Sequence, residues 1–372
     1  MTASRRPVTA FRTHHRLLPA VLVAASIIFN GCATTPLEPY TEDTPPFVLV
    51  PVSQAGVIDK RGRFREIYCS ILETRGQTLP DYRPCDEALT RVGIEPKAKG
   101  EDVKLGQSKR GLVAVIVPGI GWDCFANWLD LQQSTLDHVK QFGYDEIIMK
   151  VGGLSSSSSN AAQIRDAIMA MEFADAEPNI VLIGYSKGAP DILEAVVSYP
   201  EIRQHIAAVV SAAGTIGGSP LANDATQSQL GLLKNWPDAE CVDGDGGAVE
   251  SLRPAIRKAW LAANPLPPEI PYYSLVTYPQ PERISSVLES SYNKLSRIDA
   301  RNDSQVLFYD QIIPGSTLLG FVNADHWALA VPIARTHSTI GSLFVDQNSY
   351  PREALLEAVL RFIEEDLAKP AD

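Results

Sequence analysis

Asn179-Ile180-Val181-Leu182-Ile183-Gly184-Tyr185-Ser186-Lys187-Gly188 is the stretch on which the fold turns. An unbroken apolar run passes through a glycine, a serine and a second glycine into Pro190–Ser198, a segment with helical spacing. Short continuous apolar runs belong to strands buried on both faces, as in a parallel sheet covered by helices. A serine between a strand and a helix, flanked by glycines, sits on a tight turn where a side chain on either glycine would collide with neighbouring backbone. Such a turn projects the hydroxyl into a cleft and aims the first amides of the helix at the same point.

Working outward, similar apolar runs occur at Leu112–Val117, Glu146–Val151, Ile206–Ala212, Tyr272–Tyr278 and Thr317–Val322, giving six candidate strands with Asn179–Gly184. Amphipathic segments such as Asn160–Phe173 and Pro190–Ser198 are long enough to be the crossovers that parallel strands need. The class is therefore α/β, with a mostly parallel central sheet and helices on both faces. The Ser155–Ser159 run reads as a loop ending in an N-cap at Asn160. Residues 56–110, including Phe64–Leu72, are expected to supply antiparallel leading strands or a small N-terminal subdomain. Residues 214–270 interrupt the alternation with Gly217-Gly218, Asp243-Gly244-Asp245-Gly246-Gly247 and Asn264-Pro265-Leu266-Pro267-Pro268, and read as a lid-like insertion. Its Leu221, Leu230, Leu232, Leu233, Trp236 and Trp260 would form the lid's own core or line an apolar pocket.

From about Gly111 to the C-terminus the chain resembles the α/β-hydrolase superfamily of esterases and lipases, on the strength of Gly184-Tyr185-Ser186-Lys187-Gly188 and the order Ser, acid, His. The resemblance implies Ser186 as nucleophile and His326, in Asn323-Ala324-Asp325-His326-Trp327 after the last apolar run, as general base. His337 is the runner-up. Asn302-Asp303-Ser304-Gln305-Val306 resembles the family's acid-bearing loop, with Ser304 where a glycine is usual, and so implies Asp303 as triad acid; Asp299 and Asp310 compete. It also implies an oxyanion hole from the Lys187 amide and from Ile120 or Gly121 in Pro118-Gly119-Ile120-Gly121-Trp122-Asp123. The Lys187 charge is either incidental or a contact for an acidic substrate.

The first 31 residues carry Arg5, Arg6, Arg12 and Arg16, no acid, and the apolar run Leu17–Phe29, which is the layout of a secretory signal. That run is too short to span a bilayer. Ile28-Phe29-Asn30-Gly31-Cys32 resembles a bacterial lipobox, implying lipidation at Cys32, a tether over residues 32–55 and a hydrolase domain over 56–372. The chain carries a net charge of −11, and losing the four arginines of the leader makes it more acidic, which speaks against nucleic acid or anionic lipid as partner. Cys69, Cys85, Cys124 and Cys241 form an even set, as an oxidising compartment suits. Of the three pairings, Cys69 with Cys85 closes the shortest loop and leaves Cys124 with Cys241. No spacing matches a zinc site, a dinucleotide fingerprint or a P-loop, so no metal or organic cofactor is expected.

The expected chemistry is hydrolysis of a carboxylic ester, small or lipid, through an acyl-enzyme in the cell envelope. Acyl transfer to an envelope acceptor by the same triad, and a non-catalytic envelope binding lipoprotein, are the alternatives.

Overall fold

The computed structural model describes residues 56–98, 100, 102–124, 133–172, 178–225, 241, 244–337, 339 and 343–368. Residues 1–55, on which the expected leader and the expected tether with Cys32 fall, and Leu230, Leu232, Leu233 and Trp236 of the expected insertion lie outside the described residues.

Six strands make the body of the sheet: β3 (Val113–Val117), β4 (Asp145–Ile148), β5 (Ile180–Tyr185), β6 (Ile206–Ala212), β7 (Tyr272–Thr277) and β8 (Thr317–Val322), and of these the edge strand β4 is the partly exposed one, with Ile147 facing solvent. Each answers to one of the six apolar runs, and β6 and β8 match their runs end to end. Two-residue strands β1 (Ile58–Asp59) and β2 (Leu89–Thr90) finish the edge beside β8, in the order β1-β8-β7-β6-β5-β3-β4 with β2 also on β8. All pairs are parallel except β2 with β8. Every residue of β5 and β8 is buried, the burial that a continuous apolar run requires.

Helices cover both faces. One face carries α1 (Arg61–Arg75), α2 (Gln133–Lys140) and α7 (Arg352–Leu367); the other carries α3 (Ser157–Met169) and α4 (Gly188–Ser198), and a short α6 (Glu289–Leu295) falls between β7 and β8 in the chain. The expectation for residues 56–110 needs correction. Phe64–Leu72 belongs to α1, whose buried Phe64, Ile67, Tyr68, Ile71 and Leu72 follow the i, i+3, i+4, i+7, i+8 stripe of a helix lying on a core. Phe64 meets Phe362 of α7 with ring centroids 6.2 Å apart. The antiparallel leading element shrinks to β2.

Helix α3 also starts earlier than expected. Ser156 caps it, accepting from the Ser159 N–H at 3.2 Å, and Asn160 lies inside the helix. Asp245 binds this end, accepting from the Ser156 N–H at 2.7 Å and from its hydroxyl. In the insertion, α5 (Pro254–Ala263) is pinned to α4 by fully buried Arg257, which donates to Glu194 Oε1 at 2.8 Å and to the Ile216 carbonyl at 3.3 Å. Trp260 packs against the core between the sheet and helices α3 and α4, beneath the Arg257 guanidinium. The two expected disulfides are present, Cys69–Cys85 and Cys124–Cys241, and the latter ties the loop after β3 to the insertion.

Candidate active site

Ser186 directly follows β5 with φ +55°, a left-handed conformation that L side chains rarely adopt and that persists only where its surroundings enforce it. Its N–H donates to the Ala212 carbonyl at 3.2 Å, and its carbonyl accepts from Thr215 N–H at 3.0 Å and Ala189 N–H at 3.2 Å. The two flanking glycines permit the turn. A Cβ on Gly184 would stand 2.4 Å from Ala189 Cα, and one on Gly188 would stand 2.0 Å from the Val117 carbonyl oxygen.

The His326 ring meets the Ser186 hydroxyl, Nε2 to Oγ 2.8 Å, and on its other side meets Asp303, Nδ1 to Oδ2 2.7 Å. The structure thus brings Ser186, His326 and Asp303, all less than a tenth exposed, into one hydrogen-bonded chain. His337 follows a short helical turn, Ile333–Thr336, and does not enter that chain. His138 pairs with Glu357 at 2.7 Å.

Asp303 and His326 are held in turn by backbone and side-chain contacts. Asp303 Oδ1 accepts the Gln305 and Val306 N–H groups at 2.9 and 2.7 Å, while Oδ2 also accepts from the Thr277 hydroxyl and from Gln311 Nε2 at 3.3 Å. The tight Asp303 loop places Ser304 at φ +83°, which accounts for glycine being usual there. The His326 N–H donates to the Asp303 carbonyl at 3.0 Å, and the Tyr185 hydroxyl donates to the His326 carbonyl at 2.7 Å. Burial pushes the Tyr185 phenol well above its ordinary range, so it stays a donor. Asp325, fully buried, accepts the Ser285 and Ala328 N–H groups at 3.0 and 2.8 Å and shapes the loop around His326. Thr277, Gln311, Tyr185 and Asp325 were not singled out in the sequence. Thr277 and Gln311 carry no motif; only their place at the end of β7 and in the turn before β8 could have pointed to them.

The competing acids serve elsewhere. Asp299 pairs with Arg301 at 2.6 Å. Asp310 lies under Gly217, with Lys258 Nζ at 3.9 Å, and burial pushes its carboxyl from an ordinary 3.8 up to about 7. A folded-state value above the unfolded one favours folding at low pH, and that contribution is lost as pH rises from about 4 to 7, by about 4 kcal/mol at most for this group. Asp310→Asn is expected to leave ester turnover unchanged and to flatten the loss of stability across that interval, read by urea unfolding at three pH values.

Of the two expected partners for the Lys187 amide, Gly121 already donates its N–H to the Gly153 carbonyl at 3.0 Å. Among the described residues, the N–H groups of Ile120 and Lys187 have no acceptor. Gly119 lies against the serine, since a Cβ there would stand 2.9 Å from Ser186 Cβ. The Lys187 charge is not offered to a substrate. Its side chain is 1 % exposed, with the ammonium donating to both Asp191 oxygens at 2.9 and 2.7 Å, and Asn160 donates to the same carboxylate at 2.7 Å. Among the described residues, no group of His, Cys, Asp and Glu side chains is arranged to hold a metal ion.

Comparison with solved structures gives a TM-score of 0.81 and 41 % sequence identity to the crystal structure of the metagenomic carboxyl esterase MGS0156, over 87 % of this chain and 97 % of that one. The propeptide form of the Bacillus licheniformis lipase BlEst2 shares the fold at a TM-score of 0.50 and 18 % identity, over 62 % of this chain and 49 % of that one. Neither a protein-family model nor a curated relative matches the sequence.

Proposed function

The chain belongs to the carboxyl esterases of α/β-hydrolase fold, and from that premise we propose that it cleaves carboxylic esters with Ser186 as nucleophile, His326 as general base and Asp303 as orienting acid. The observation that carries this reading is the unbroken chain from the Ser186 hydroxyl through both ring nitrogens of His326 to the Asp303 carboxylate. Ser186 Oγ attacks the ester carbonyl while His326 Nε2 takes its proton. The resulting oxyanion is held by the Lys187 and Ile120 N–H groups, a kind of donor whose removal typically raises the barrier by about 3 kcal/mol. His326 then returns the proton to the departing alcohol, leaving an acyl-Ser186, and a water activated by the same ring releases the acid. Asp303 keeps the Nδ1 proton in place and stabilises the imidazolium.

The test is a p-nitrophenyl ester series of rising acyl length, assayed with and without an added alcohol. Release of free acid supports hydrolysis, release of a new ester supports transfer, and no turnover by folded protein sinks the reading.

We also propose that residues 1–31 direct export and that Cys32 receives a lipid anchoring the domain to a cell-envelope membrane. Two disulfides suit an oxidising compartment, and no helix among the described residues is long and apolar enough to cross a membrane. Cys32→Ala is expected to move the protein from the membrane to the soluble fraction and to abolish incorporation of labelled palmitate. Retention of both would refute the anchor.

A further inference from the structure

Behind the catalytic loops, on the α7 face of the sheet, lies a cavity of about 120 Å³. An apolar cavity of about 150 Å³ holds one benzene, so this one has room for an aliphatic group of about five carbons. Its walls are side chains of the sheet and of α7, among them Ile116, Ile148, Ile183, Leu356 and Val359. Pro118, Tyr185 and Leu329 also line it, so it backs onto the oxyanion loop, the residue before Ser186 and the loop after His326.

One feature of the lining is not explained by packing. Glu146 of β4 is 8 % exposed, and its Oε2 is buried without a hydrogen-bond partner. Thr135 serves the same carboxyl, and burial pushes it up to about 7. Arg352, 6 % exposed, also lines the cavity and has a buried Nε without a partner. An orphaned buried acceptor and an orphaned buried donor each cost stability unless something binds them. A hydroxyl donates and accepts at once, which matches a lining that leaves one acceptor and one donor unpaired.

We propose that this cavity is a second binding site, distinct from the Ser186 cleft, for a short-chain aliphatic alcohol: the alkyl body lies among Ile116, Ile148 and Leu356, and the hydroxyl donates to Glu146. Tyr185, whose hydroxyl donates to the His326 carbonyl, forms part of the wall against which the alcohol packs. The site does not depend on the ester-hydrolysing role of Ser186, because every residue invoked in binding lies outside the catalytic chain.

The test measures 1-pentanol binding by saturation-transfer NMR on the folded domain, beside 1-chloropentane, of equal length but without the hydroxyl. Ile148→Phe and Leu356→Phe, which fill the cavity from the sheet and from α7, are each expected to weaken both probes at least tenfold. Glu146→Leu is expected to weaken 1-pentanol about tenfold, the scale of a hydrogen bond to an ionisable group, and to leave 1-chloropentane unchanged. Thermal unfolding of each variant checks that it folds. Absence of binding to the wild type would overturn the proposal, as would binding of 1-pentanol to both filled variants with wild-type affinity. Equal response of the two probes to Glu146→Leu would overturn the role of the carboxyl.

Discussion

Ser186→Ala is expected to lower kcat on a p-nitrophenyl ester by about a million-fold, the scale of losing a triad nucleophile, with the thermal midpoint close to that of the wild type. The hydroxyl's recorded partner is the His326 ring, and the backbone bonds that hold the turn, to Ala212, Thr215 and Ala189, do not involve it. The left-handed φ of Ser186 is no worse for alanine than for serine. The variant therefore separates chemistry from folding. A loss of only a few-fold, with correct folding, would mean that another group attacks the ester.

Asp303→Asn is expected to lower kcat by about ten thousand-fold at neutral pH. The Gln305 and Val306 N–H groups need an acceptor, so they hold the new amide oxygen in the place of Oδ1. That leaves the amide NH₂ facing His326 Nδ1, where a carboxylate had accepted. A donor at that point selects the tautomer with its proton on Nε2, which cannot take a proton from Ser186. The same NH₂ also faces Gln311 Nε2, donor against donor. Asp299→Asn serves as the control: its carboxylate is bound to Arg301, and turnover is expected to stay within about two-fold, as for a surface pair of small worth. A larger loss at Asp299 than at Asp303 would reassign the acid.

The sheet was legible because its central strands are buried on both faces, and such burial writes itself as continuous apolar runs; Ile206–Ala212 and Thr317–Val322 are the clearest cases. The turn at Ser186 was legible because close backbone approach leaves glycine as the residue at 184 and 188. Helix α1 was misread although its stripe is present in Phe64, Ile67, Tyr68, Ile71 and Leu72, because four arginines and two acids among residues 61–75 break the visual run while covering the helix's polar side. The start of α3 was missed because any of five consecutive serines can cap a helix, and the choice of Ser156 is made by Asp245, 89 residues away. Long-range choices of this kind leave no local trace. The same holds for Thr277 and Gln311, which reach Asp303 only through the sheet, and for the Lys187–Asp191 pair. That pair has the i, i+4 spacing of a surface helix salt bridge yet is buried by the elements packed on α4. Gly121 could not be separated from Ile120 in sequence because the Gly153 carbonyl that engages it comes from the loop after β4.

The measurement that bears most directly on the account is intact-mass and peptide mapping of the purified domain after treatment with a fluorophosphonate, beside Ser186→Ala. The account predicts one adduct per chain, located on the peptide that contains Gly184-Tyr185-Ser186-Lys187-Gly188, and none on the variant. An adduct on another residue, or a folded wild type that takes none, would contradict the assignment of Ser186.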